Sequence, residues 1–175
     1  MLWEIDIFPA AHQPDVHGKT VVQDALDLGL SDHISVKTAY GYLIEGTIGE
    51  PQIKMLAEQL LADPIAETFT FDCLCEKTAS DALYVLPKPG VTDSVAENAK
   101  KIIADFGVAA DAVRTFKKYW INGADETEIK LLATKLLAND AVEEWQHFTP
   151  APMMRDKPRQ KANAVIVPLR RMSGD

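Results

Sequence analysis

Apolar residues along this chain follow two alternating rhythms, and the whole alternation occurs twice. Residues 3–8 and 83–86 are short alternating or apolar runs that stop at Pro9 and Pro87, as a strand does where a proline ends its ladder. A helical rhythm follows. Val95, Ala99, Ile102, Ile103 and Phe106 fall at i, i+4, i+7, i+8 and i+11, which gathers them on one face. Val21, Val22, Ala25 and Leu26 do the same earlier in the chain. Ser94 with Glu97 forms a capping-box pattern, and Gly29 and Gly107 suit the left-handed position after a helix. A second extended stretch, residues 34–45 and 112–121, is rich in β-branched and aromatic side chains. Another helical stripe comes next, carried by Ile53, Leu56, Ala57, Leu60 and Leu61 and again by Ile129, Leu132, Ala133, Leu136 and Leu137. Short strands at residues 67–71 and 143–148 close each copy.

The repeat is visible residue by residue. IDIFPAAHQPDVHGKTVVQDALDLGL aligns with LYVLPKPGVTDSVAENAKKIIADFGV, so that Pro9, Asp15 and Gly29 fall on Pro87, Asp93 and Gly107, each 78 apart (87−9, 93−15, 107−29). ISVKTAYGYLIEG then aligns with AVRTFKKYWING, Tyr42 on Tyr119, and LAEQLLADPIAETFTF with LATKLLANDAVEEWQHF. The expected fold is α+β: two tandem β-α-β-α-β modules at residues 1–72 and 82–149, a linker at 73–81, and a basic tail at 150–175. A module of this size buries only about 60% of the surface its unfolded chain exposes. A three-stranded sheet with both helices on one face also leaves its other face and its edges uncovered. The two modules should therefore pair internally as a pseudo-dimer, helices on antiparallel or mixed sheets, and the fusion raises the effective concentration of each for the other. Phe69 and Phe71 should then lie near Trp145 and Phe148, or near the central strand of the opposite module.

Charge narrows the functions. The net charge of −8 disfavours general affinity for nucleic acid or anionic membranes. The tail departs from this balance, with Arg155, Lys157, Arg159, Lys161, Arg170 and Arg171 against Asp156 alone. A start in which Glu4 and Asp6 alternate with apolar residues lacks the basic-then-apolar order of a secretory signal. Only two cysteines, Cys73 and Cys75, are present, too close to bridge readily, so the cytoplasm is the expected compartment.

Catalytic constellations are not found. Cys73 and Cys75 lack the partners of a zinc spacing, and His12, His17, His33 and His147 show no metal-binding or base motif. There is no glycine-rich phosphate loop and no nucleophile elbow. No catalytic residue, metal or cofactor is expected. Two stretches carry more polar specification than a scaffold needs: KPGVTD, at residues 88–93, and VRTFKKYW, at 113–120. The first reads either as a well-capped turn or as a contact surface. The second places Arg114, Lys117, Lys118 and Tyr119 on a strand, which is either a solvated, aggregation-resistant edge or a dock for an acidic partner.

These stretches, with KLLANDAVEEW at residues 135–145, resemble the signatures of the PurS family: a K-x-G-V-x-D turn, a V-R-x-G-K strand and an L-L-A-N-P-V-I-E helix end. The resemblance spans the second copy and, more faintly, the first. Phe116 replaces the strand's usual Gly and Asp140 the usual Pro, which the first copy keeps as Pro64; Ala10 and His12 replace the turn's Lys and Gly. The resemblance implies a non-catalytic component of formylglycinamidine ribonucleotide synthase, a glutamine-dependent C–N ligase of purine biosynthesis. Such a component bridges a glutaminase and an ATP-dependent synthetase. In single-chain forms of that enzyme a PurS-like pair is built into the N-terminus, and VIVPLRRMSGD, at residues 165–175, resembles the lead-in to the synthetase portion. The residues carried over as partner-binding are Lys88, Gly90, Asp93, Arg114, Lys117 and Tyr119. A tandem ACT-like module that binds a small effector at its interface is the alternative.

Overall fold

The computed structural model describes residues 1–74 and 81–147. The first half runs β1 (Leu2–Pro9), α1 (Val16–Asp27), β2 (Ser35–Glu45), α2 (Glu50–Leu56) and β3 (Glu67–Cys73). The second runs β4 (Leu83–Pro87), α3 (Ser94–Asp105), β5 (Ala112–Asn122), α4 (Glu126–Leu132) and β6 (Glu143–His147). Both α2 and α4 pass into a π-helical turn, Ala57–Leu61 and Ala133–Leu137. In each, an alanine N–H (Ala62, Ala138) reaches the carbonyl five residues back (Ala57, Ala133). The tail at 150–175, most of the linker and Phe148 lie outside the described residues.

All strands join one antiparallel sheet in the order β3-β1-β2-β5-β4-β6. The fold is α+β, and its sheet is antiparallel throughout. The central seam is the longest, with β2 and β5 in register from Ser35 opposite Asn122 to Glu45 opposite Ala112. Strand alternation sends Trp3, Ile5, Ile7, Tyr42 and Ile44 to the helical side.

The helices do not stay over their own strands. Ala99 and Ile103 of α3 are buried with Ile5, Ile7 and Leu56 of the first half. Val21 and Ala25 of α1 are buried with Leu83, Val85 and Leu132 of the second. Each core cluster thus draws on both halves, and neither half can lose the other without exposing apolar surface. Of the two placements expected for Phe69 and Phe71, the one beside Trp145 fails. Phe69 and Phe71 sit on β3 and Trp145 on β6, the two opposite ends of the sheet, because the halves meet through β2 and β5. The phenylalanines pack instead on the cluster that contains Ala99 and Ile103, against which Val113 of β5 also packs.

The second face of the sheet is also buried, by Leu43, Leu74, Ala82, Tyr84, Leu86 and Phe116. Gly41 makes this possible. A Cβ there would lie 1.9 Å from the Ile5 carbonyl oxygen and 2.7 Å from Phe116 Cζ, so Phe116 occupies the space that its cross-strand partner Gly41 leaves. Among the described residues, no helix is long and apolar enough to cross a membrane.

Candidate functional site

Two aspartates fix the helices to the centre of the sheet. Asp93 caps α3 by accepting from the Ala96 N–H at 2.9 Å, and its other oxygen accepts from the Thr115 N–H (2.9 Å) and hydroxyl (2.8 Å) on β5. Asp15 caps α1 through the Gly18 N–H at 2.7 Å and also takes the Thr38 N–H (2.7 Å) and hydroxyl (2.8 Å) on β2. Each carboxylate satisfies a helix end and a strand position together, which sets where the helix begins above the seam.

Beside the start of α3 lies a groove on the helical face. A cavity of about 220 Å³ opens there, lined among others by Tyr40, Tyr42, Val95, Thr115, Lys117 and Glu143. A polar row crosses the seam. The Tyr40 hydroxyl donates to Glu67 Oε1 at 2.6 Å, Tyr40 stands opposite Lys117, and Lys117 Nζ lies 2.9 Å from Glu143 Oε1. Each glutamate also holds the loop before its own strand: Glu67 accepts from the Asp63 N–H at 2.8 Å and Glu143 from the Asn139 N–H at 2.9 Å. Burial pushes the Glu143 carboxyl up, but the Asn139 N–H and the Lys117 ammonium outweigh it and hold the group below the usual carboxylate range. Burial, followed by the charge of Glu143, pushes the Tyr119 phenol up to about 12. Its oxygen lies 3.1 Å from His17 Nε2. Burial and the neighbouring Glu67 also raise Tyr40 and Tyr42.

The expected site residues are not in one place. Lys117 and Tyr119 face the helical side, but Tyr119 stands opposite Thr38, the partner of Asp15, whereas Asp93 bonds Thr115 two positions before Lys117. Arg114 belongs to the other side of β5, half-buried, with Nη2 donating to the Pro87 carbonyl at 2.8 Å. Arg114 and Lys117 therefore form no common charged patch. Lys88 lies on the exposed turn, where its ammonium donates to the Asp140 carbonyl and its N–H to Val142 O at 2.9 Å. Gly90 ends that turn at φ 88°, a left-handed conformation that other residues adopt only with strain.

One cluster was not foreseen. Lys118 is 1% exposed on the second face, with Nζ 2.6 Å from Glu4 Oε1 and 2.6 Å from Asp6 Oδ2. The Tyr84 hydroxyl donates to the same Glu4 carboxylate at 3.1 Å, and the ammonium lies 4.8 Å from the centre of the Trp120 ring. To reach β1, Lys118 must cross β2, which carries only Ala39 and Gly41 on this side between them. The one sequence hint was the pair of small residues, Ala39 and Gly41, at the centre of β2.

Geometry defines the class: an α+β chain whose two similar halves share one antiparallel sheet, with a largely apolar groove over its seam that Lys117 and Glu143 border. No protein-family model matches the chain, and no curated protein matches it.

Proposed function

We propose that this chain is a PurS-like pseudo-dimer, a non-catalytic assembly component of formylglycinamidine ribonucleotide synthase. In that role it bridges the glutaminase and the ATP-dependent synthetase in the cytoplasm. The observation that carries the reading is the seam. Tyr40 and Lys117 are cross-strand partners and also equivalent positions of the repeat, 77 apart like Tyr42 and Tyr119 or Thr38 and Thr115 (117−40, 119−42, 115−38). A pair that is both opposite and equivalent marks the centre of a pseudo-twofold, as expected where two copies join edge to edge. The matched caps of Asp15 on Thr38 and Asp93 on Thr115 support the same relation. The reading also accounts for a surface built of turns, caps and a shared groove, which suits binding between larger partners.

The test is reconstitution. Co-expressed with the glutaminase and synthetase of its own organism, the chain should elute with both in one complex. Glutamine-dependent amidination of formylglycinamide ribonucleotide should require it. Elution alone, with undiminished activity when the chain is omitted, would refute the proposal.

The cavity of about 220 Å³ at the seam favours one second reading, an effector-binding module of the ACT-like kind. Calorimetry with amino acids and nucleotides on the isolated chain separates the two. Saturable heat from the chain alone supports the sensor; none supports the assembly role.

A further inference from the structure

We infer that the outer edge of β3 pairs with the same edge of a second copy of this chain, antiparallel and centred on Thr70, joining two six-stranded sheets into one. Among the described residues β3 pairs with β1 alone, so no described strand meets its other edge. The hydrogen bonds identify which groups that edge presents. Leu74 N–H donates to Leu2 O and Ala10 N–H to Ala66 O, both at 2.9 Å, so even-numbered residues of β3 point their backbone groups at β1. The N–H and C=O groups of Phe69 and Phe71 therefore point outward.

An exposed edge of this kind usually carries a defence against pairing: a lysine, a proline or a bulge. The sequence ETFTFDC has no lysine, arginine or proline, its two charges, Glu67 and Asp72, lie toward its ends and leave Thr68 to Phe71 uncharged, and its register against β1 runs unbroken from Trp3 opposite Cys73 to Pro9 opposite Glu67. β6, at the other end of the sheet, is shorter and carries Glu143 and Glu144 in succession.

What points to a second copy is the self-complementarity of the β3 sequence. Antiparallel pairing about Thr70 sets Phe69 against Phe71 of the second copy, each such pair exchanging two backbone hydrogen bonds. It also sets Thr70 against Thr70 and Thr68 against Asp72, while Glu67 meets Cys73. Aromatic and threonine pairs are favourable across strands, and no like charges stand opposite each other. Thr68, Thr70 and Asp72 are exposed on one side of this edge, and the half-buried Phe69 and Phe71 rings stack on the other with centroids 6.5 Å apart. A twofold contact of this type closes at the dimer and does not propagate. A single strand edge buries less than a standard interface, so the dissociation constant should be on the order of 10 µM.

The experiment is sedimentation of the full chain from low to high micromolar concentration, with Thr70→Lys as the diagnostic variant. The wild type should pass from monomer to dimer. In the variant two lysines would face each other at the centre, and association should weaken at least tenfold while far-ultraviolet circular dichroism and melting stay unchanged. A Cys73→Ser, Cys75→Ser background then reads the register. Thr70→Cys should form a disulfide-linked dimer on mild oxidation, and Thr68→Cys should not, since Asp72 of the second copy would face it. A wild type that stays monomeric throughout overturns the inference. So does a dimer that survives Thr70→Lys, or equal cross-linking of the two cysteine variants.

Discussion

Lys118 lies across β2 with its ammonium 2.6 Å from Glu4 Oε1, so a cation from the second half of the chain is held by a carboxylate from the first. Both side chains are 1% exposed, and at that burial a charge without its counterpart is expensive. The contact therefore couples the halves more through the penalty for separating them than through net attraction. Lys118→Met should cost about 3–5 kcal/mol of stability, because it removes the ammonium that lies 2.6 Å from each of two buried carboxylates. Urea denaturation reads this as a lower midpoint. Adding Glu4→Gln and Asp6→Asn should recover part of the loss. A midpoint unmoved by Lys118→Met would mean that water already reaches the acids.

The aspartate caps give a second prediction. Asp93→Ala removes the acceptor for Ala96 and both bonds from Thr115, so it should cost about 2 kcal/mol, the upper end for a cap. Asp15→Ala should cost a similar amount through Gly18 and Thr38. Hydrogen exchange should quicken at the Thr115 amide in the first variant and at Thr38 in the second. Unchanged exchange at both would show that the strands hold those positions without the caps.

Alkaline pH should unfold the protein through its tyrosines. Burial and then the Glu143 charge push Tyr119 up to about 12, whereas an unfolded tyrosine titrates near 10. Below pH about 10 both states hold the proton and stability is intact. Between about 10 and 12 the unfolded chain releases a proton that the folded chain keeps, so stability falls by up to about 1.4 kcal/mol per pH unit for such a group. Melting temperatures measured across this window should fall less steeply for Tyr119→Phe than for the wild type. Parallel slopes would contradict the burial argument.

Local order was legible in the sequence because it depends on spacing within a few residues. Asp93 read as a capping acid and Gly90 as a turn, and the repeat placed Asp15 on Asp93 and Tyr42 on Tyr119; the Ser94–Glu97 capping box is one residue late, since Asp93 is the cap and Ser94 already the first residue of α3. Long-range facts were legible only where alternation decides them. That Arg114 and Lys117 face opposite sides follows from their odd separation on one strand, yet reading the segment as a charged stretch hid it. The ion pair of Lys118 with Glu4 spans 114 positions, and no local pattern specifies it. It depended on recognising that the second face is buried, which alternating acids on β1 argue against. Phe116, which stands where the resembled motif has Gly, becomes intelligible only beside Gly41, the partner whose missing side chain it replaces.

Lys117 provides the test that bears most directly on the groove. It is the half-exposed cation of the polar row, paired with Glu143 at 2.9 Å, while Arg114 is occupied by the Pro87 carbonyl on the far side of the sheet. A partner that docks on the groove meets Lys117 and not Arg114. If the chain assembles as proposed, Lys117→Glu should therefore weaken binding to the synthetase component roughly tenfold, about 1.4 kcal/mol, and Arg114→Glu much less. The reversal also places two acids side by side, so a loss alone would not separate a docking role from a structural one. The exchange Lys117→Glu with Glu143→Lys does separate them. It restores an internal ion pair with the charges transposed, and the exposed pair itself is worth only about 0–1 kcal/mol. If the partner reads the charge at position 117, the exchanged protein should melt like the wild type and still bind weakly. Recovery of full affinity in the exchanged protein would show that Lys117 serves only to hold the start of β6.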